Sequence, residues 1–228
     1  MLANKQSDFR TFVYPVSQIL TVSDVLMKRI GLINQKGGVG KSTSCVVLAG
    51  ALAQKHRVAL VDLDPQGSLE RWSGMAKLPA TLEIFSADSI ADLKRLKGFD
   101  YVVIDTKGEL SADALPALDL ALLPCPPSLF DIWSSADTIE LLKAHQAHRP
   151  EFIAALYVNR LDQNTLLGRD IAEALNGYGL PVLSVPLRDR IGYPTAIARG
   201  KTPTRSGDSE IRLESLRFAE AVKKLLEA

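Results

Sequence analysis

The stretch Gln35-Lys36-Gly37-Gly38-Val39-Gly40-Lys41-Ser42-Thr43 constrains this 228-residue chain more than any other. The apolar run Ile30-Gly31-Leu32-Ile33 precedes it and Cys45-Val46-Val47-Leu48-Ala49 follows it, so the order reads strand, glycine loop, helix. That order is the setting a phosphate-binding loop needs. Gly37, Gly38 and Gly40, with Val39 among them, let the backbone fold tightly and turn its N–H groups inward, and the helix N-terminus that follows, with Thr43 among the expected ATP contacts, adds a field that favours anions. Lys41 is placed to reach β- and γ-phosphates, and the Ser42 hydroxyl to ligate Mg²⁺. The spacing points to a nucleoside triphosphate. The usual pattern begins with glycine where this chain has Gln35, and a second lysine, Lys36, stands directly before two glycines.

The lysine-first form, Lys36-Gly37-Gly38-Val39-Gly40-Lys41-Ser42, resembles the deviant Walker A loop of the ParA/MinD family of ATPases. The resemblance implies ATP with Mg²⁺ as ligands and a nucleotide-sandwich homodimer in which Lys36 contacts the phosphates held by the partner subunit. A cation beside a transferring phosphoryl group is the kind of stabilisation this reaction depends on.

From residue 29 onward, strand-like and helix-like patterns alternate, which predicts a single α/β domain: a doubly wound, mostly parallel sheet flanked by helices, the P-loop fold. Strands are expected near 29–34, 57–62, 81–85, 100–105, 118–124, 152–159 and 181–185, and helices near 42–55, 66–75, 88–96, 129–146, 164–177, 191–199 and 209–227. Residues 1–27 fit poorly and read as an N-terminal extension or arm, with Val16, Ile19 and Leu20 forming a short stripe after Pro15. Residues 28–228 form the predicted ATPase domain. Net charge is +1, so any basic site is local. Cys45 and Cys125 lie in apolar runs and read as buried thiols. No apolar run approaches the roughly 20 residues of a membrane span, and a cytoplasmic location is expected.

Two further motifs lie at predicted strand ends, where ligands of such sheets bind. Val61-Asp62-Leu63-Asp64-Pro65-Gln66-Gly67-Ser68 could cap a helix, and it also matches the family's switch I segment. By that match Asp64 orients the attacking water and reaches Mg²⁺ through water, with Asp62 in support. Ser68 and Trp72 resemble the short plasmid-partition members, although Trp72 suits packing equally well. Tyr101-Val102-Val103-Ile104-Asp105 is a Walker B arrangement that aims Asp105 at Mg²⁺. The sequence then continues Thr106-Lys107-Gly108, and Lys107 departs from the family pattern.

Asn159, ending Leu156-Tyr157-Val158, has the edge to pair with adenine, and related ATPases read adenine near this position. Val185-Pro186-Leu187-Arg188 resembles the segment that lines the base, adding Pro186 and Arg188 to the expected ATP contacts. Between residues 188 and 205, Arg188, Arg190, Arg199, Lys201 and Arg205 face only Asp189 in sequence. By resemblance Arg199, Lys201 and Arg205 are the expected contacts to non-specific DNA, made as phosphate contacts. The last helix, with Ile211, Leu213, Leu216, Phe218, Ala219, Val222, Leu225 and Leu226 on its apolar face, carries mixed charge opposite and reads as a core helix rather than a membrane-surface one. The resemblance therefore implies a ParA-type partition ATPase, stimulated by a ParB-like adaptor and nucleoid-associated when ATP-bound. The alternative is a membrane-associated positioning ATPase of the MinD or flagellar-number type.

Overall fold

The apolar runs become strands of a parallel sheet in the computed structural model, which describes residues 27–64, 66–108 and 111–227. The stripe of Val16, Ile19 and Leu20 lies outside the described residues, as does all of the expected arm but Met27. In chain order the elements are β1 (Lys28–Leu32), α1 (Lys41–Leu52), β2 (Val58–Asp62), α2 (Ser68–Ser73), β3 (Leu82–Ser86), β4 (Tyr101–Asp105), α3 (Ser111–Ala114), β5 (Leu120–Cys125), α4 (Leu129–Ser134), α5 (Ala136–His148), β6 (Ile153–Leu161), α6 (Leu166–Asn176), β7 (Leu187–Arg188), α7 (Gly192–Ala198) and α8 (Ser209–Glu227). The described strands form one sheet ordered β3-β2-β4-β1-β5-β6-β7, and their pairings are parallel.

β2 and β5 are buried along their whole length, as continuous apolar runs should be when helices cover both faces of a sheet. One core lies under α1, α2, α7 and α8 and holds Val47, Leu60, Trp72, Tyr157 and Phe218. The other lies under α3 to α6 and holds Ile33, Ile104, Leu123, Ile139 and Leu175. The expected doubly wound architecture is thus observed.

Three expectations about elements are corrected. The seventh strand forms at Leu187–Arg188 and not at 181–185, where Val182 makes only an isolated bridge to Leu156. Pro181 and Pro186 bracket that segment, and neither can donate to a ladder. The helix expected over 88–96 is a 3₁₀ segment, Ile90–Arg95, started by a Ser89/Asp92 capping box. The helix expected over 129–146 is broken at buried Ser135, whose hydroxyl donates back to Asp131 O at 2.8 Å and accepts from Asn34 Nδ2 at 3.3 Å.

Cys45 and Cys125 are buried free thiols. Among the described residues no helix is long and apolar enough to cross a membrane.

Candidate functional site

Parallel pairing brings three chain segments to one edge of the sheet. Asp105 lies opposite Leu32 across β1–β4 and opposite Asp62 across β2–β4, so the glycine loop and both acidic motifs leave the sheet side by side. Between them opens a cleft of about 370 Å³ lined by Gly37, Gly38, Gly40, Lys41, Ser42, Thr43, Asp64 and Asp105, together with Gln35, Lys107, Gly108 and Arg160.

The loop's shape depends on glycine. Gly40 has φ 93°, and a Cβ there would lie 2.4 Å from Asn159 Nδ2, so both backbone angle and space exclude a side chain. A Cβ on Gly108 would lie 2.3 Å from Gln35 O, so the segment after β4 also needs glycine to approach the loop. The start of α1 has neither a side-chain cap nor an acidic residue in its first turn. Its leading N–H groups are therefore available to an anion, with the helix field behind them.

Lys41 folds back across the loop, its Nζ donating to Asn34 O at 2.9 Å and Lys36 O at 3.1 Å. Burial pushes this ammonium below its ordinary value, against the pull of Asp105 and Asp64. Lys36 does not line the cleft; its ammonium pairs with Asp131 at the start of α4. Its backbone N–H donates to Asn34 Oδ1 at 2.9 Å, which fixes the turn into the glycines.

The two acids of the Asp62–Asp64 motif divide the work. Buried Asp62 accepts from the backbone N–H groups of Asp64 at 3.0 Å, Leu69 at 2.9 Å and Glu70 at 3.4 Å, so it shapes the turn and caps α2. Burial raises its pKa, while those three donors oppose the rise. Asp64 reaches the cleft itself.

Asp105, at 2% exposure, is pushed up to about 6 by burial, with Asp62 and Asp64 adding to the rise and Ser42 and Lys41 opposing it. The Ser42 side chain hydrogen-bonds this carboxyl. Thr106 Oγ1, one residue on, donates to Leu32 O at 2.7 Å and ties the end of β4 to β1.

The remaining expected site residues lie elsewhere. Asn159, expected to read adenine, is buried behind the loop, and its Nδ2 donates to Val39 O at 2.7 Å. That bond uses one of its two amide N–H groups to hold the loop against β6. Pro186 and Arg188 line a second cleft, of about 340 Å³, which shares no lining residue with the first. Sequence reasoning missed Arg160, which the cleft exposes. It also missed the carboxylates of α8: Arg190 pairs with Glu210 and Glu214, and Arg188 lies 3.9 Å from Glu214. The basic strip is thereby half neutralised, leaving Arg199 and Arg205 exposed and Lys201 half-buried. Trp72 takes the packing role, its Nε1 donating to Ile197 O at 2.7 Å.

A family model described as the CobQ/CobB/MinD/ParA nucleotide binding domain matches residues 30–204. Maintenance of carboxysome distribution protein A of Halothiobacillus neapolitanus is 31% identical over 181 residues, spanning 75% of this chain and 84% of that protein. Protein ParA of Rhizobium radiobacter is 27% identical over 220 residues, 89% of this chain and 99% of that one. In fold, the septum site-determining protein MinD of Pyrococcus horikoshii OT3, solved with Mg-ADP, superposes with a TM-score of 0.71 at 18% identity, over 88% of this chain and 97% of that one.

Proposed function

Because the chain belongs to the CobQ/CobB/MinD/ParA nucleotide-binding domain family, we propose that it is a ParA-type ATPase that closes into a homodimer around ATP and positions a cargo. The observation that carries this reading is the convergence of Lys41, Ser42, Asp64 and Asp105 on one cleft beside an uncapped helix start. Backbone N–H groups and Lys41 there suit a triphosphate, and phosphoryl transfer asks for alignment and charge stabilisation more than for covalent help.

The donor set fits Mg²⁺. Among the described residues no three His, Cys, Asp or Glu side chains cluster as a metal cage. Mg²⁺ instead uses one or two carboxylates, substrate phosphates and water. Ser42 and Asp105 would hold it, and Asp64 would reach it through water. Bound with the triphosphate, Mg²⁺ would neutralise charge building on the phosphoryl oxygens. Asp64 orients the attacking water, Lys41 holds the β/γ-phosphates and Lys36 serves the partner's nucleotide. Two observations support a role for Lys36 in trans: it is turned out of its own cleft, and it sits against α4, where Phe130 and Trp133 are 76% and 61% exposed. Exposed aromatic side chains of this size suit a protein contact.

The ATP-bound dimer would bind DNA without sequence preference through Arg199, Lys201 and Arg205, and a ParB-like adaptor would stimulate hydrolysis and release. The adaptor would choose the cargo, and the relatives' names, carboxysome distribution and ParA, suit such a division of labour. A membrane-associated variant of this cycle is disfavoured because α8 turns the apolar face that a surface helix would need, with Ile211, Phe218, Ala219 and Val222, into the core. The proposed location is cytoplasmic, on the nucleoid when ATP is bound.

Calorimetric titration with Mg-ATP tests the site. Wild type should bind, and Lys41→Ala should lose detectable binding; retained affinity in that variant would remove the phosphate-loop reading.

A further inference from the structure

Arg160 is where β6 stops behaving as a strand. Its φ is +55°, the left-handed region, and among the described residues no other non-glycine side chain has positive φ. The β6–β7 register shifts between Asn159 and Leu161, so Arg160 is the unpaired residue of a bulge. Strain of this kind persists only where its surroundings impose it, and it concentrates at ligand sites. The surroundings here are explicit. Asn159 is pinned inward by Val39 O, and Leu161 is buried and its carbonyl accepts from Asp189 N at 3.0 Å. With both neighbours fixed, the bulge turns the Arg160 side chain to the other side, into the cleft that the glycine loop lines. Its Nε lies 3.9 Å from the point a Cβ on Gly40 would occupy, beside the uncapped first turn of α1.

The cations around this cleft are differently engaged, and Lys107, which also lines it, has a partner of its own. Lys36 is paired with Asp131, and Lys41 is bonded to two loop carbonyls. Arg160 carries neither an ion pair nor a side-chain hydrogen bond among the described residues. A planar guanidinium beside backbone N–H groups left available to an anion adds donors in a fork that matches phosphate oxygens. We propose that Arg160 is a phosphate-contacting residue of this nucleotide site, aimed at the polyphosphate by the β6 bulge. The assignment rests on the phosphate-loop reading above.

The test compares ATP with inorganic tripolyphosphate, which has the phosphates but no base or sugar, titrated directly and in competition with ATP. Arg160→Ala should weaken both ligands by a similar factor, about tenfold for a charge-assisted contact at an exposed rim. Arg160→Lys should recover only part of this, since it keeps the charge and loses the fork. Arg160→Gly relieves the positive φ, so its melting temperature should match or exceed wild type while its phosphate affinity falls as in the alanine variant. That combination excludes misfolding as the cause. Loss of ATP affinity with tripolyphosphate affinity intact would overturn the assignment in favour of a base or ribose contact, and unchanged affinity for both would overturn it outright. Tripolyphosphate that fails to compete with ATP on the wild type would also count against it. Failure of the wild type to bind ATP at all is distinguishable from these, because it would remove the phosphate loop and Arg160 together.

Discussion

Asp105 carries the sharpest conflict between stability and use. Its carboxyl is buried and pushed up to about 6 from an ordinary 3.8, whereas the Mg²⁺ role proposed for it needs the ionised form. Between about pH 4 and pH 6 the folded chain holds a proton that the unfolded chain has released, so stability falls as pH rises through that window. The difference corresponds to roughly 3 kcal/mol. Asp105→Asn should therefore raise the melting temperature at pH 7, flatten its pH dependence from 4 to 6, and abolish Mg²⁺-dependent turnover; thermal melts across that range check the first two. Asp64, which reaches the cleft without being buried, should behave differently. Asp64→Ala should bind ATP normally and hydrolyse it at least about a hundredfold more slowly, as loss of a water-positioning group implies, and phosphate-release kinetics read this directly. The glycine loop, Lys41, Asp64 and Asp105 were legible in the sequence because each motif is local and its strand end is marked. Arg160 was not, since its direction depends on a pairing register between segments about 30 residues apart. The neutralisation of Arg188 and Arg190 was hidden for the same reason: Glu210 and Glu214 arrive from a later helix.

At the scale of elements, β6 supports the loop from behind. Asn159→Ala removes the bond to Val39 O and leaves a buried carbonyl without its donor, which should cost about 1–3 kcal/mol. Denaturant melts should show the loss of stability, and ATP affinity should fall with it because the cradle loosens; an unchanged melt would show that the loop stands without β6. Helix α8 works similarly. Its buried Glu214 accepts from Arg188 N at 2.8 Å and Tyr193 Oη at 2.7 Å, binding β7 and α7 to the helix. Periodicity correctly marked Ile211, Phe218, Ala219 and Val222 as core, yet Leu213 is 49% exposed while Glu214 is buried. A hydrophobic pattern cannot show that a carboxylate is wanted inside; that follows from the polar groups that β7 and α7 bring to it. The misplacement of β7 has a comparable origin, because the apolar residues at 182–185 suggest a strand while the flanking prolines deny it a ladder.

For the whole molecule, the fold class was readable because alternating strands and helices admit few arrangements. The working surfaces were less so. DNA binding in the proposed cycle requires ATP, since only the dimer doubles the number of phosphate contacts, and it should weaken with salt by a log–log slope of about 0.9 per contact. Replacing Arg199 and Lys201 with Ala should flatten that slope and lower affinity equally for unrelated sequences, with dimerisation intact; binding that ignores ATP would move the DNA site elsewhere. The central claim, however, is that ATP joins two copies through Lys36. Light scattering with and without Mg-ATP measures it most directly. Wild type should double in mass only with ATP, Asp64→Ala should stay doubled for longer, and Lys36→Ala should bind ATP yet remain a monomer. A Lys36→Ala protein that doubles in mass with ATP as the wild type does would contradict the account.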